Sequence, residues 1–380
     1  MPWKEQTVEK LREEFIASAR TSMNLSKLCR EFGISRPTGY KWLARAKQGE
    51  PMIDRSRAPH RVTRKTPTEL EQAILEIRAQ NPAWGGKKIR QVMANKGEVC
   101  LPCAKTFQNI LKRNGCVSPE ESSKHTAYTR FEKETCNEMW QTDIKGDFAL
   151  GDGSRCYPLT ILDDHSRFSL GIAVQDHTRG VREYFKQVFM EYGLPDAILS
   201  DNGTQFGGFR QGITKFEKWL MEEDVLPIHG RIRHPQTQGK IERFHRTMKQ
   251  EVLRHRTFAN LKEADDALQE WRWKYNTIRP HEAIGMKCPN EVYQASKRPY
   301  NPTVRPYEYG GQYHVIKVNS WGYVRFNRFQ VYLSETMIGE YIEFRPNFSE
   351  DTFGAYFRNY RIAEFDVHSG QKINNRIVKL

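Results

Sequence analysis

The sequence predicts a multidomain protein with all-α tandem helix-turn-helix domains at its N-terminal end, an α/β core and a small C-terminal all-β barrel. Three observations predict this order. Capped helical patterns fill the first third of the chain, strand-like runs alternate with helical patterns in the middle, and short strands at regular spacing follow. With 380 residues, the chain can form several domains that each bury a core.

The charge balance predicts a polyanionic partner. Lys and Arg number 60 against 46 Asp and Glu, which gives a formal net charge of +14. Nucleic acid is the favoured partner, and an anionic membrane surface is the alternative. No run approaches the roughly 18 apolar residues of a membrane span, and the N-terminus lacks a signal-peptide core. We therefore expect a soluble intracellular protein with no membrane contact.

The seven cysteines are irregularly spaced. Their odd count does not resemble a disulfide framework, which agrees with a reducing compartment. Cys100 and Cys103 form one CxxC pair, and Cys116 and His125 are conceivable further zinc ligands. Because the sequence has no second CxxC or HxxxH pair, ordinary small apolar cysteines are favoured over a zinc site.

Residues 1–50 predict the first helix-turn-helix domain, with three short helices between positions 7 and 47. Asn24 and Ser35 are candidate N-caps, and Gly33 stands where one helix would stop. The last helix would enter the major groove, although any three-helix bundle can show this pattern. The predicted DNA contacts of this helix are Arg36, Thr38 and Lys41.

Residues 51–66 predict a basic linker, because Arg, Lys and Pro dominate and apolar residues are few. Its Arg57 and Arg61 would lie along phosphates or in a minor groove. A second trihelical pattern at 67–118 predicts a second helix-turn-helix domain, for which a purely structural role is the alternative. The predicted DNA contacts of this domain are Lys87, Lys88 and Lys105.

The middle of the chain predicts an α/β sheet with covered faces. Three strand-like runs precede a helix, a short apolar strand, a helix over 209–224 and another strand. From about residue 237, apolar residues at positions 241, 244, 248 and 252 draw one face of an amphipathic helix. Glu242, Arg246 and Lys249 form a second stripe, turned from the first by about 100°. By itself, this stripe favours a solvated Glu–Arg pair on the surface.

Three acids stand near the predicted ends of these elements. Asp143 is near the end of the first strand, Asp201 follows the fourth strand, and Glu242 is in the amphipathic helix. Ligands of open α/β sheets gather at the carboxyl ends of strands, so the two aspartates can point into one crevice. Mg²⁺ and Mn²⁺ prefer carboxylate and water ligands, and two such ions can hold the attacking and leaving oxygens of a phosphodiester. The acids therefore predict a site for Mg²⁺ or Mn²⁺, with two ions per active site.

Five ordered motifs resemble the integrase catalytic core of the ribonuclease-H-like fold, as found in bacterial insertion-sequence transposases and retroviral integrases. They are TDIKGDF, LDDHSRF, LSDNGTQF, HPQTQGKIERFHRTMKQE and YNTIRPHEAIGMKCPNEVY, and they place this core at 135–297. The paired helix-turn-helix domains and the β-rich tail at 302–380 look more like the bacterial transposases. The retroviral enzymes begin instead with a His-His-Cys-Cys zinc domain.

The resemblance implies roles for particular residues. The Asp, Asp and Glu metal ligands of the family, its catalytic residues, fall on Asp143, Asp201 and Glu242. The last two lie 41 positions apart, at 201 and 242, which exceeds the spacing most common in the family; residues 207–224 hold the extra length. Asp163 and Asp164 compete for the first metal position, but their motif matches a structural strand end and turn in the family. The resemblance implies that Arg246 and Lys249 contact the terminal nucleotides of the DNA. Asn202, in the turn that lets DNA approach Asp201, and Gln205 are further predicted DNA contacts.

The resemblance implies a DDE transposase of a bacterial insertion sequence. Such an enzyme would bind the terminal inverted repeats, cleave to expose a 3′-hydroxyl, and use that hydroxyl to attack target DNA. The implied partners are double-stranded DNA and further copies of the chain, as a homodimer or higher assembly in the nucleoid of the bacterial cytoplasm. A DNA-binding regulator with an inert core, a ribonuclease H and a junction resolvase are the alternatives.

Overall fold

The computed structural model describes residues 7–22, 24–55, 66–117, 132–176, 180–201, 206, 212–230, 239–303, 306–347 and 351–380. The chain divides into two compact units, residues 1–65 and residues 66–380. The finer division predicted from the sequence remains a proposal.

The first unit is a three-helix module. Its helices are α1 (Val8–Thr21), α2 (Leu25–Glu31) and α3 (Arg36–Lys47). The predicted caps are confirmed, because the Asn24 and Ser35 side chains accept hydrogen bonds from the first turns of α2 and α3. Gly33 adopts a φ of +63° in the turn between them. Phe15, Leu28 and Trp42 close the core of this module.

The second unit begins with another three-helix module. Its helices are α4 (Thr68–Gln80), α5 (Gly86–Asn95) and α6 (Ala104–Arg113). Ile74, Ile89 and Phe107 are fully buried between them. Gly86 allows α5 and α6 to touch, since a Cβ at this position would lie 2.6 Å from the backbone nitrogen of Gln108. Both predicted trihelical patterns are therefore present.

A five-stranded mixed sheet follows, in the order β5-β4-β1-β6-β7. Its strands are β1 (Trp140–Ile144), β4 (Leu159–Asp163), β5 (Ser169–Ala173), β6 (Ala197–Ser200) and β7 (Leu226–His229), and a hairpin of β2 (Phe148–Ala149) and β3 (Arg155–Cys156) lies outside it. β1 pairs antiparallel with β4 and parallel with β6. The predicted α/β sheet is confirmed, with an antiparallel edge and a parallel edge.

Helices cover both faces of this sheet. They are α7 (Val181–Tyr192), α8 (Lys215–Glu222), α9 (Gly239–Met248) and α10 (Leu261–Thr277). Neighbouring residues of β4 point to opposite faces, so Ile161 packs in the core under α7 and α8, and Leu162 packs in the core under α9 and α10. Among the described residues, no helix is long and apolar enough to cross a membrane.

The predicted helix over 209–224 is shorter in the structure. α8 starts at Lys215, because the Thr214 side chain caps the helix and Glu217 returns a hydrogen bond to the Thr214 backbone. Residues 207–211 lie outside the described part of the chain. The predicted start was therefore wrong, since the periodic pattern ran past a capping box.

The C-terminal region is all-β. Its strands are β8 (His314–Lys317), β9 (Tyr323–Phe326), β10 (Phe329–Tyr332), β11 (Tyr341–Pro346), β12 (Thr352–Phe357), β13 (Tyr360–Asp366), β14 (Lys372–Asn374) and β15 (Val378–Lys379). The main sheet runs β14-β13-β12-β11-β8, and β9 pairs with β10. This order is open in the described residues, so closure into a barrel is not confirmed. Ile213 and Met221 share the apolar core of these strands, which therefore pack on the α8 side of the α/β sheet.

Candidate active site

The first two predicted acids lie at the carboxyl ends of neighbouring parallel strands. Asp143 is the penultimate residue of β1, and Asp201 directly follows β6. Gln141 pairs with Leu199 in the parallel register of β1 and β6. Continuing this register by two residues places Asp143 opposite Asp201. The sheet topology therefore brings together two acids that are far apart in sequence.

The third acid comes from α9, as predicted. Ile241, Phe244 and Met248 are fully buried in this helix, with Phe244 packed edge-on against the ring of Tyr275. Glu242 follows the first buried residue and is exposed. The apolar stripe thus fixes which way the helix faces and leaves the carboxylate at its edge.

The charges of the three acids act on one another. Burial, and then the charges of Asp201 and Glu242, raise the pKa of Asp143 to about 7. Accumulated negative charge of this kind is typical of a site that a divalent cation neutralises, and carboxylates are its preferred donors. In the described ranges, however, no group of three or more His, Cys, Asp or Glu side chains is close enough to hold a metal ion. The donors fit a divalent cation in chemistry, but they do not form a closed ligand set.

His245 is a neighbour of Asp143 that the sequence did not reveal. Its Nε2 lies 2.7 Å from the Thr160 hydroxyl, which donates to the backbone oxygen of Asp143. Its Nδ1 is 3.6 Å from the Asp143 carboxylate. Burial, together with the charge of Lys145, lowers the pKa of His245 to about 3, so the ring is neutral. Its position one turn after Glu242 was the signal that could have identified it.

His229 supports the backbone of Asp201. Its Nδ1 lies 3.3 Å from the Asp201 carbonyl oxygen, and its Nε2 lies 2.8 Å from the Glu217 carboxylate. Burial lowers the pKa of His229, but the hydrogen bond and charge of Glu217 outweigh this effect and the pKa is raised. His229 on β7 and Glu217 on α8 thereby hold the backbone at Asp201, where the loop after β6 begins.

Asp163 and Asp164 are both buried and both bonded to protein groups. Asp163 accepts hydrogen bonds from the Asn137 backbone N–H and from the backbone and hydroxyl of Ser166. Asp164 accepts from the Gln141 side chain at 2.7 Å and also contacts Lys240. These bonds match the structural strand end and turn that the resemblance implies for this motif.

Basic side chains lie on, or directly after, the elements that carry the acids. Arg246 on α9 and Lys249, which directly follows α9, are exposed, as is Glu242. Lys145 was not among the residues predicted from the sequence. Burial, and then the nearby charge of Lys249, lower the pKa of Lys145. At Lys249 the helix widens into a π-helical turn, Lys249–Leu253, a feature often found at functional sites.

The second module presents its predicted contacts beside an open groove of about 490 Å³. The groove is lined by Gly85, Gly86, Lys87, Lys88, Ala104, Lys105, Gln108 and Glu282. Lys87 and Lys105 are exposed, and Lys87 lies 3.8 Å from Glu282. Lys88 is half-buried, and burial, with the charge of Arg279, lowers its pKa to about 8. A DNA contact by Lys88 stays a prediction, but its ammonium lies against the α/β core.

The first module places its predicted contacts on α3. Arg36 and Lys41 are exposed at the start of the helix. Thr38 is half-buried, and its hydroxyl lies 2.8 Å from the hydroxyl of the N-cap Ser35. Arg36 and Lys41 are therefore available for phosphate contact, and Thr38 contributes to the cap.

Several predicted contacts lie outside the described residues. They are Arg57, Arg61, Asn202 and Gln205. The cysteines are described, and all seven are free. Cys100 and Cys103 are exposed.

Glu251 joins the second module to the core, which the sequence did not reveal. Its carboxylate accepts hydrogen bonds from the indole N–H groups of Trp84 and Trp271, at 3.0 and 2.9 Å. It also forms an ion pair with Arg279 at 2.9 Å. Trp84 precedes α5, and Glu251 belongs to the turn that ends α9. One carboxylate thus links the second helical module to the helix that carries Glu242.

Comparison with known proteins identifies the regions around these acids. Residues 134–235 and 223–289 match models described as "Integrase core domain". Residues 38–111 match a "Homeodomain-like domain". The resemblance of the five motifs to an integrase core is therefore confirmed.

Two similar curated proteins are insertion-element proteins. The chain is 31% identical over 176 residues to the "Insertion element IS476 uncharacterized 39.2 kDa protein" of Xanthomonas euvesicatoria, covering 44% of this chain and 49% of that protein. It is 28% identical over 157 residues to the IS407 31.7 kDa protein of Burkholderia multivorans, covering 41% and 54%. The chain thus spans about half the length of the curated relatives it matches.

Among solved structures, the HTLV-2 integrase catalytic core domain in complex with magnesium is similar at 16% identity and a TM-score of 0.32. That match covers 42% of this chain and 97% of the viral chain.

Proposed function

We propose that this chain, which carries an integrase core related to insertion-element proteins, is a DNA transposase. It binds the terminal inverted repeats of its element and catalyses DNA cleavage and strand transfer. The observation that carries the proposal is the placement of Asp143 and Asp201 at the ends of adjacent parallel strands, with Glu242 supplied by α9.

The proposed cofactor is Mg²⁺ or Mn²⁺, two ions per active site, held by Asp143, Asp201 and Glu242. The bound cations would neutralise charge on the reacting phosphate and activate the attacking oxygen. Burial, and then repulsion by Asp201 and Glu242, raise the pKa of Asp143, and this unfavourable negative charge supports the cofactor class. Neutral His245, through Thr160, holds the strand end that carries Asp143.

Each proposed chemical step exchanges one phosphorus–oxygen bond. In cleavage, water displaces a 3′-hydroxyl from the scissile phosphate. In strand transfer, that 3′-hydroxyl displaces a 3′-oxygen at a target phosphodiester. Both steps are phosphoryl transfers, so a covalent protein intermediate is not required. Arg246 and Lys249 would bind the DNA backbone beside the acids, because both cations are exposed within two turns of Glu242 along the chain.

The helical modules are proposed to read the transposon ends. α3, with Arg36 and Lys41, would enter the major groove, and Lys87 and Lys105 of the second module would bind backbone phosphate. Because a transposon has two ends that must be held together, the active form is proposed to be a homodimer or higher assembly on DNA.

The proposal is tested by mixing the full-length protein with end-containing DNA, target DNA and Mg²⁺ or Mn²⁺. Strand-transfer products should form with wild type and fall at least about a thousandfold with Asp201→Asn, while DNA binding is retained. Asp266→Asn is the matched control, because Asp266 is exposed on α10. Equal activity of wild type and Asp201→Asn would refute the catalytic assignment. Cleavage of RNA in RNA–DNA hybrids or of four-way junctions in place of strand transfer would favour the nuclease alternatives.

A further inference from the structure

A buried polar network lies beneath the first turn of α9. The Gln141 side chain donates to Asp164 at 2.7 Å, and its oxygen accepts the Ile241 backbone N–H at 3.2 Å. The Lys240 ammonium contacts the Asp164 carboxylate and lies 3.2 Å from the Asp164 carbonyl oxygen. We call Gln141, Asp164 and Lys240 the helix-start network.

The network is completely paired. Asp164 is fully buried, and its second carboxylate oxygen also accepts the Lys133 backbone N–H at 2.8 Å. Gln141 is 1% exposed. A buried ion pair is seldom more stable than apolar packing of the same volume, so its presence calls for a reason other than stability. Hydrogen bonds differ from apolar contacts in that they fix direction and register.

The direction that is fixed here is that of Glu242. Gln141 precedes Asp143 by two residues on β1, so the two side chains lie on the same face of the sheet. The backbone group that Gln141 holds belongs to Ile241, the residue immediately before Glu242. Each residue of an α-helix turns by about 100°, so a slip of one residue at this point would turn Glu242 away from Asp143.

Bonds at a helix start also satisfy groups that the helix itself cannot. The first four backbone N–H groups of an α-helix have no partner within the helix. The described part of α9 begins at Gly239, so Ile241 is among these first residues. Gln141 therefore caps the helix from the strand that carries the first acid, and Asp164 holds Gln141 in place.

We propose that Asp164, acting through Gln141 and Lys240, is a positioning residue that sets the rotation and height of the first turn of α9, so that Glu242 faces Asp143. The inference rests on the proposed function, in which these acids act together. It assigns no contact with substrate to the network.

The test uses the full-length protein and three variants: Asp164→Asn, Gln141→Met and Lys240→Met. Lys240→Arg is the conservative variant, and Lys186→Met, at a half-buried lysine of α7 that pairs with Glu183, is the matched control. Gln141→Met keeps the volume of the side chain and removes the bridge to Ile241, so it decides the question if Asp164→Asn does not fold.

The first readout does not require activity. Amide hydrogen exchange in residues 239–244 should accelerate about tenfold or more in Gln141→Met and Lys240→Met, while exchange in α10 stays unchanged. Titration with Mn²⁺ alone should show affinity reduced about tenfold to a hundredfold, the usual cost of removing a residue that orients a metal ligand.

The second readout is strand transfer. The turnover number should fall about tenfold to a hundredfold while KM for end-containing DNA is unchanged, and Lys240→Arg should recover most of the turnover. Unchanged exchange at residues 239–244, or unchanged Mn²⁺ affinity in folded Gln141→Met, overturns the proposal. If wild type transfers no strand, the proposed function fails, and the exchange and Mn²⁺ measurements still decide the positioning role.

Discussion

The two three-helix modules differ in which residues complete their packing. The packing of the first module is completed by its own residues. Arg12 lies 4.0 Å from the Trp42 ring centroid and donates a hydrogen bond to Asp54. Arg45 donates to the Ile53 carbonyl oxygen. Every one of these contacts lies within residues 1–65, which form a compact unit. The tryptophan of this module therefore serves its own fold.

The packing of the second module is completed by residues of the α/β core. Trp84 donates its indole N–H to Glu251, and the Lys274 ammonium lies 5.4 Å from the Trp84 ring centroid. Ile278, which follows α10, packs against the apolar core of this module. The two modules have the same number of helices and similar length, but the second packs within the unit that carries the three acids. Under the proposed function, the second module would hold bound DNA at a fixed distance from these acids.

The largest expected effect comes from removing the shared carboxylate. Glu251→Ala leaves Arg279 buried without its ion-pair partner and leaves the Trp84 and Trp271 N–H groups without their acceptor. We expect a loss of about 3–5 kcal/mol in the free energy of unfolding of the second unit, measured by denaturant titration. Glu183→Ala is the control, since Glu183 forms exposed ion pairs worth less than about 1 kcal/mol. Equal losses in both variants would remove Glu251 from this role.

A smaller effect is expected from removing one hydrogen bond. Trp84→Phe keeps most of the buried ring and loses the bond to Glu251, so the second module should be destabilised by about 1–3 kcal/mol and become open to proteolysis between α5 and α6, at residues 96–103. Trp42→Phe should lower the stability of the first unit and leave that cleavage unchanged. If Trp42→Phe alters cleavage as much as Trp84→Phe, the contrast between the modules is wrong.

The exposed and buried lysines of the second module should differ in DNA binding. Lys105→Ala should weaken binding of all sequences alike and reduce the slope of log affinity against log salt by about 1. Lys88→Ala should change that slope less, because the Lys88 ammonium lies against the core. Binding of end-containing DNA measured between low and moderate salt checks this; a larger slope change for Lys88→Ala would show that its burial is relieved on DNA.

A further expected effect is a pH dependence of stability at Lys88. Its pKa is lowered to about 8 from the ordinary 10.5, so between these values the unfolded chain binds more protons than the folded chain. The free energy of unfolding of wild type relative to Lys88→Met should therefore be constant well below pH 8 and rise from pH 8 to pH 10.5. Lys87→Met, at an exposed lysine, should show no such trend in denaturation at several pH values.

Much of the candidate site could be predicted because its signals are local. The spacing of Ile241, Phe244 and Met248 defined the buried face of α9, and the caps at Asn24 and Ser35 marked two helix starts. Motif order then pointed to Asp143, Asp201 and Glu242. At Thr214 the prediction followed the apolar periodicity past the capping box, so it placed the helix start too early.

The sequence by itself determined the element order, the all-α, α/β and all-β regions, and the three acids, because periodicity, capping and motif spacing are read over a few residues at a time. Only the tertiary structure decided that Gln141 holds Ile241 and that Trp84 meets Glu251, residues 100 and 167 positions apart. The physical reason is that a buried hydrogen bond depends on where two packed elements bring their side chains. The pattern of apolar and charged residues along the sequence does not contain the relative orientation of two packed elements.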